Sequence, residues 1–145
     1  MDLGFALPHV GPVATEPNIR KAAQEAEARR TNAAAMLAAL DGGCRLQSIR
    51  PVPDASPGFL RLPVRLPFGL SGFRDPTRAL YLGIAPSYPS VLGVVPQVRA
   101  RLEAGCHHWP GGEELARSLF TAPTHSLLSA PERDELVQLL LEYRS

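Results

Sequence analysis

The feature that most constrains this chain is one long helical segment that cannot hold itself in place. From Pro17 to Leu40, apolar residues recur at spacings of three, four and seven: Ile19, Ala23, Ala26, Ala33, Leu37 and Leu40. That spacing predicts a helix with a single apolar stripe, interrupted at Arg30. Thr15 or Glu16 can open the helix, Pro17 suits its first turn, and Asp41-Gly42-Gly43 ends it. Most of the stripe is alanine, which permits close approach but buries little area per residue, so the helix depends on what it packs against. The remaining chain has to supply that surface.

It does so with short elements separated by prolines. Residues 44–50 can form a short strand, and Pro51, Pro53 and Pro57 mark a loop. Between Phe59 and Leu66, Leu60, Leu62, Val64 and Leu66 alternate with Phe59, Arg61, Pro63 and Arg65, which predicts a half-buried strand with two arginines on its outer face. Pro63 lacks an N–H, so an edge position or a bulge is expected. Asp75-Pro76 opens a short helix that Gly83 ends. Ile84 to Tyr88 reads as a strand closed by Pro89, and Val95–Glu103 and Gly111–Phe120 read as helices. Thr121–Thr124 reads as a strand despite Pro123. Ser129-x-x-Glu132 is a capping box with Pro131 inside it, and the helix it opens places Leu136, Leu139, Leu140 and Tyr143 on one face. This order predicts an α+β two-layer domain over residues 16–145, a short sheet covered on one side by helices, with a long N-terminal helix. Residues 1–15 read as an extended apolar arm, a segment that needs a surface to lie on.

Composition narrows the function classes. A net charge of +1 and dispersed basic residues give no reason to expect a nucleic-acid partner. No run of about 18 apolar residues predicts a membrane helix, and the N-terminus makes a poor secretory signal. Cys44 and Cys106 lie too far apart for a C-x-x-C pair and read as reduced thiols, so a cytoplasmic protein is expected. Cys106-His107-His108 looks metal-like, but adjacent ligands rarely converge on one ion, and a polar loop before Trp109 is the expected reading, with no metal site. Arg61 and Arg65 have the spacing to bind a carboxylate or phosphate, although an exposed polar strand face is the default.

Between Arg78 and Leu140 a series of small motifs follows in order: Gly83-Ile84, Tyr88-Pro89, Pro110-Gly111, Leu115-Ala116, Ala122-Pro123-Thr124-His125 and Leu128-Ser129. The series resembles the C-terminal end of sugar aminotransferases of the DegT/DnrJ/EryC1/StrS family. The stretch Ala26–Leu40, with Arg29-Arg30 followed by Asn32-Ala33-Ala34, is similar to that family's interdomain helix.

The resemblance implies the small domain of a pyridoxal-phosphate enzyme that transfers an amino group to a keto-sugar nucleotide, without the large domain that holds the cofactor. It further implies that the loop of Ser87 and Tyr88 lies near the active-site mouth and that His125 occupies a position where the family commonly has histidine. Ser87, Tyr88 and His125 are therefore the candidate substrate-binding residues. Tyr88 could equally close a small sheet, and a structural hydrogen bond is the simpler role for His125. Asn18-x-Arg20 echoes a segment that in the family helps form the neighbouring subunit's cofactor site.

No catalytic or cofactor-binding residue is expected within this chain. Schiff-base chemistry needs a desolvated lysine, and Lys21, the only lysine, falls about 200° around the helix from Ile19, facing away from the stripe. Pyridoxal phosphate is implied only for a partner: a lysine-bearing large domain, with a homo-oligomer as the other possibility. The alternative function is a catalytically inactive interaction or scaffold module of the same fold.

Overall fold

The computed structural model describes residues 16–41, 46, 49–102 and 108–144. The chain enters through α1 (Glu16–Asp41), crosses to β1 (Arg61–Arg65), and passes through a 3-10 turn (Gly69–Gly72) into α2 (Pro76–Tyr81). It continues through β2 (Ala85–Pro86), a second 3-10 turn (Leu92–Val94) and α3 (Pro96–Arg99) to α4 (Pro110–Ser118). Then β3 (Leu119–Pro123) leads to α5 (Ala130–Leu141). The three strands form one antiparallel sheet in the order β1-β3-β2. This is the expected α+β architecture with its long N-terminal helix.

The sheet is small for a reason visible in its prolines. In β1, Leu62, Val64 and Leu66 turn their backbone groups toward β3, as in the bond from Leu66 N to Ser118 O. Pro63 faces the other way, where its missing N–H costs no ladder bond and its carbonyl accepts from Ile49 N at 3.4 Å. On the opposite edge, Pro86 ends β2 after two residues. Pro123 closes β3 on the side that β2 does not reach, opposite Arg61. Thus Pro63 sits on an edge strand, as expected, and β3 forms in the centre despite its proline.

One face of the sheet is buried. Leu62, Val64, Leu66, Phe120 and Ala122 pack with Ala33, Met36 and Leu40 of α1 and Leu136, Val137 and Leu140 of α5. Phe73, Ala79, Leu82, Ile84 and Tyr143 complete the cluster. The Tyr143 hydroxyl accepts from Phe68 N at 2.9 Å and donates to Gly69 O at 3.1 Å, while its ring meets Phe73 edge-on at 4.8 Å. A side chain at Gly72 would overlap that ring, so the 3-10 turn and the C-terminal segment are fitted to each other.

Several local expectations change. Leu60 is 78% exposed instead of inward, because Phe59 adopts a left-handed backbone (φ 42°) that breaks the alternation at the strand entry. Leu119 and Phe120, expected to end a helix, already belong to β3. Ile49 and Arg50 are not in a strand; residues 44, 45, 47 and 48 of that expected strand lie outside the described residues, as does the apolar arm, 1–15. The expected helix Val95–Glu103 is the single turn of α3, and Glu103 is not described. The stripe of α1 holds only in its C-terminal half. Ile19 is 58% exposed and Ala23 is exposed, whereas Met36, outside the expected stripe, is fully buried. In the first turns of α1, before Glu25, the described side chains are exposed.

Polar contacts fix where α1 crosses the core. The Asn32 carboxamide donates to the carbonyls of Thr124 and His125, both at 3.2 Å, and accepts from Arg133 at 3.4 Å. Two turns earlier, Glu25 accepts from Arg29 at 2.7 Å and from Ser126 N at 3.3 Å. Hydrogen bonding from Ser126, then from Arg29, holds the Glu25 carboxyl at about 2, down from 4.5. Replacing Asn32 with Ala leaves buried carbonyls without their donor and is expected to cost about 2 kcal/mol in a urea unfolding curve. For Glu25 the depressed folded-state value means that its stabilisation is complete above about pH 4.5 and is lost as pH falls toward 2. The effect is small and screened by salt because the group faces solvent. The Glu25→Gln chain is expected to show a flatter stability profile across that acid window, measured by thermal unfolding at low ionic strength.

Candidate functional site

The three candidate residues fall at the two ends of β3. Ser87 N donates to Leu119 O at 3.0 Å, which seats the Ser87-Tyr88 loop at the start of β3. His125 stands two residues beyond its end, roughly 20 Å of extended chain away. Ser87 and Tyr88 are neighbours, but the structure does not bring His125 to them. The Ser87 hydroxyl is buried and has no hydrogen-bond partner among the described residues. Tyr88 is 59% exposed and lines an open cleft of about 540 Å³.

That cleft is built from the short elements between β2 and β3. Val91 and Leu92 enter from the second 3-10 turn, Val98 from α3, and Leu115 from α4, with Trp109 between them. Pro96 and Pro110 start α3 and α4 at their first turns, so each helix is only as long as its place on the rim requires. Gly93 lies directly against the Trp109 ring, with no room for a Cβ. The lining is aromatic and aliphatic, with the Tyr88 and Ser90 hydroxyls as its polar points. A surface of this kind accepts a flat or apolar group and has no base or nucleophile of its own. Spacing alone did not reveal it, because its apolar residues come from four short segments without a common period.

His125 is exposed and borders a second pocket of about 210 Å³ with Arg61, Tyr81, Gly83, Pro123 and Glu132. Its backbone carbonyl is the acceptor for Asn32, so a structural contact does exist there, made by the main chain and not by the imidazole. The Ser129–Glu132 capping box forms as expected, with Ser129 N to Glu132 at 2.9 Å and Glu132 N to Ser129 Oγ at 3.4 Å. Hydrogen bonds from the Ser129 side chain and backbone lower the Glu132 carboxyl below its usual range. Arg65 bonds Glu114 at 3.2 Å, whereas among the described residues Arg61 bonds the Thr121 side chain and the carbonyls of Thr121 and Gly83. The two arginines of the strand therefore do not act on one anion.

The other sequence candidates occupy solvent positions. Lys21, Asn18 and Arg20 lie on the exposed outer half of α1. His108 is exposed and 3.6 Å from Glu113, while Cys106 and His107 are not described. Among the described residues, no three His, Cys, Asp or Glu side chains gather as a metal centre, and no helix is long and apolar enough to cross a membrane.

With this geometry the fold can be compared with known proteins. It is aminotransferase-like. DesV of S. venezuelae, solved in complex with a ketimine intermediate, matches 87% of this chain at a TM-score of 0.68 and 19% identity. TlmJ, an aminotransferase from Streptoalloteichus hindustanus, matches 86% at a TM-score of 0.64 and 21% identity. In both cases the match covers 33% of the solved chain, so this chain spans about a third of the length of these structures. No protein-family model and no curated protein sequence matches it.

The cleft makes a direct test available through Trp109, the only tryptophan. In the Gly93→Ala chain the added methyl should displace the indole from the rim, shifting its fluorescence emission to the red. An unchanged spectrum would show that the ring does not rest on Gly93.

Proposed function

We propose that this chain is the C-terminal small domain of a pyridoxal-phosphate-dependent sugar aminotransferase of the DegT/DnrJ/EryC1/StrS type, without catalytic power of its own. The observation that carries this reading is the lopsided match: nearly all of this chain superposes on only a third of each solved structure. The motif series from Gly83 to Ser129 supports the same assignment. The large domain would come from another polypeptide or from another part of a longer one, and a cytoplasmic location goes with this reading.

The residues present do not fit the cofactor. A Schiff base needs an enclosed lysine, and Lys21 is exposed on the free half of α1. No step through pyridoxal phosphate is therefore assigned to this chain. Its part would be to close the substrate site of the large domain, with Ser87 and Tyr88 at the mouth of the apolar cleft. His125 would contact substrate only if the large domain reached the far end of β3. Amino transfer to a keto-sugar nucleotide, with an amino acid as donor, is the reaction class of the completed enzyme.

A second reading, an inactive interaction module, is favoured by one feature. The core joins β1 and β3 to α1, α2 and α5 without needing a second domain. A tagged pull-down separates the two readings. The small-domain reading expects a lysine-bearing partner and the visible absorbance of lysine-bound pyridoxal phosphate in the complex, but no borohydride-stable label on the purified chain. A colourless preparation without such a partner would favour the module, and a label on Lys21 would overturn both.

A further inference from the structure

The pocket bordered by Arg61 has a charge arrangement that neither the apolar cleft nor the proposed function uses. Arg61 lies on the half-buried face of β1. Its Nε donates to Thr121 Oγ1 at 2.6 Å, and one terminal nitrogen, Nη2, donates to the Thr121 and Gly83 carbonyls. These bonds fix the guanidinium plane, while Nη1 has no partner among the described residues. Among the described residues no carboxylate approaches Arg61 as an ion pair, unlike Arg65, which bonds Glu114, and Arg78, which is held by Glu135 at 2.5 Å through two nitrogens. A charged group taken partly out of water without a counterion is a costly arrangement that a bound anion would relieve.

The remaining lining limits what that anion can be. Tyr81, Leu82, Pro123, Leu127 and Leu128 make most of the wall, and the volume is about 210 Å³, enough for a handful of heavy atoms. Glu132 stands on the rim, and among the described residues its carboxylate bonds within its own cap, where Oε2 accepts from Ser129 N and Oγ. It would repel a dianion such as phosphate. Arg61 and Glu132 face an apolar wall, with the His125 imidazole on the same rim, and this set suits a singly charged head with a short hydrocarbon tail. We propose that this pocket binds a compact organic monocarboxylate, its carboxylate on Arg61 and its tail against Leu82, Pro123 and Leu128. The site does not rest on the aminotransferase reading, although His125 borders it.

The test is a titration of the full chain followed by amide chemical shifts at Gly83, Thr121 and His125. Sodium butyrate is the probe; n-butylamine and inorganic phosphate are the controls. Butyrate is expected to saturate these shifts, with the two controls at least about tenfold weaker. Arg61→Gln is expected to weaken butyrate at least about tenfold. Because Arg61 also braces Gly83 and Thr121, a second variant keeps the test open if that chain does not fold. Glu132→Gln leaves Arg61 in place, removes the repelling charge and is expected to tighten butyrate about fivefold. Absence of saturable shifts in the natural chain, equal response to butylamine, or unchanged affinity in Glu132→Gln would each overturn the proposal.

Discussion

The structure depends on one buried amide. Asn32 lies on a helix whose inner face offers an alanine and few large side chains, and it donates both of its protons to carbonyls at the exit of the central strand. Those carbonyls belong to Thr124 and His125, where β3 has ended and no strand neighbour is left to satisfy them. Thr124 in turn donates its hydroxyl to Phe59 O at 2.5 Å, at the entry to β1. Through Arg133 the same amide reaches α5. A short polar chain thus ties α1, the entry of β1, the exit of β3 and the start of α5. Hydrophobic burial holds these elements together, but it is not directional. The amide supplies the direction, by fixing how far along α1 the sheet is met.

That fixed crossing point explains why α1 has two unlike halves. From Asn32 onward, Ala33, Met36 and Leu40 are in the core. Before Glu25, the described side chains are exposed. A 26-residue helix is about 39 Å long, well beyond what a three-stranded sheet can cover. The sheet cannot widen to meet it, because Pro63 and Pro86 occupy its two edges and give poor templates for another strand. The surplus helix is therefore a consequence of the sheet's limits and of the anchor at Asn32.

The same reasoning shows what was legible beforehand. Helix starts were, since Asp75, Ser129 and the first-turn prolines act within a few residues, whereas the ends of α3 and α4 were not. The alternation of β1 was legible for Leu62, Val64 and Leu66, whose partners lie on a regular strand. It failed at Leu60, where the left-handed Phe59 reverses the pattern and no local signal announces it. The stripe of α1 failed for a different reason: periodicity says which side of a helix is apolar, not how much of its length another element will reach. Asn32 was visible only as part of a motif, because its partners are more than 90 residues away in sequence. The cleft around Trp109 and the charge pattern around Arg61 were illegible on the same grounds, each being assembled from segments that share no spacing.

The distribution of these features bears on what a fold shared at about 20% identity can mean. A scaffold needs the caps, the edge prolines, the Asn32 anchor and a continuous core, and all are intact here. Chemistry needs converging groups, and the described residues separate them: Ser87 and Tyr88 at one end of β3, His125 and Arg61 toward the other, Lys21 on the free helix. A second domain could complete the apolar end, since the cleft there is open and lined by aromatic surface that lacks only reactive groups. The charged end is different, because Arg61 is already braced by Thr121 of the sheet and by the Gly83 carbonyl and lacks only an anion. One end therefore calls for a protein surface and the other for a small molecule, and the strand that separates them lets each be occupied without the other.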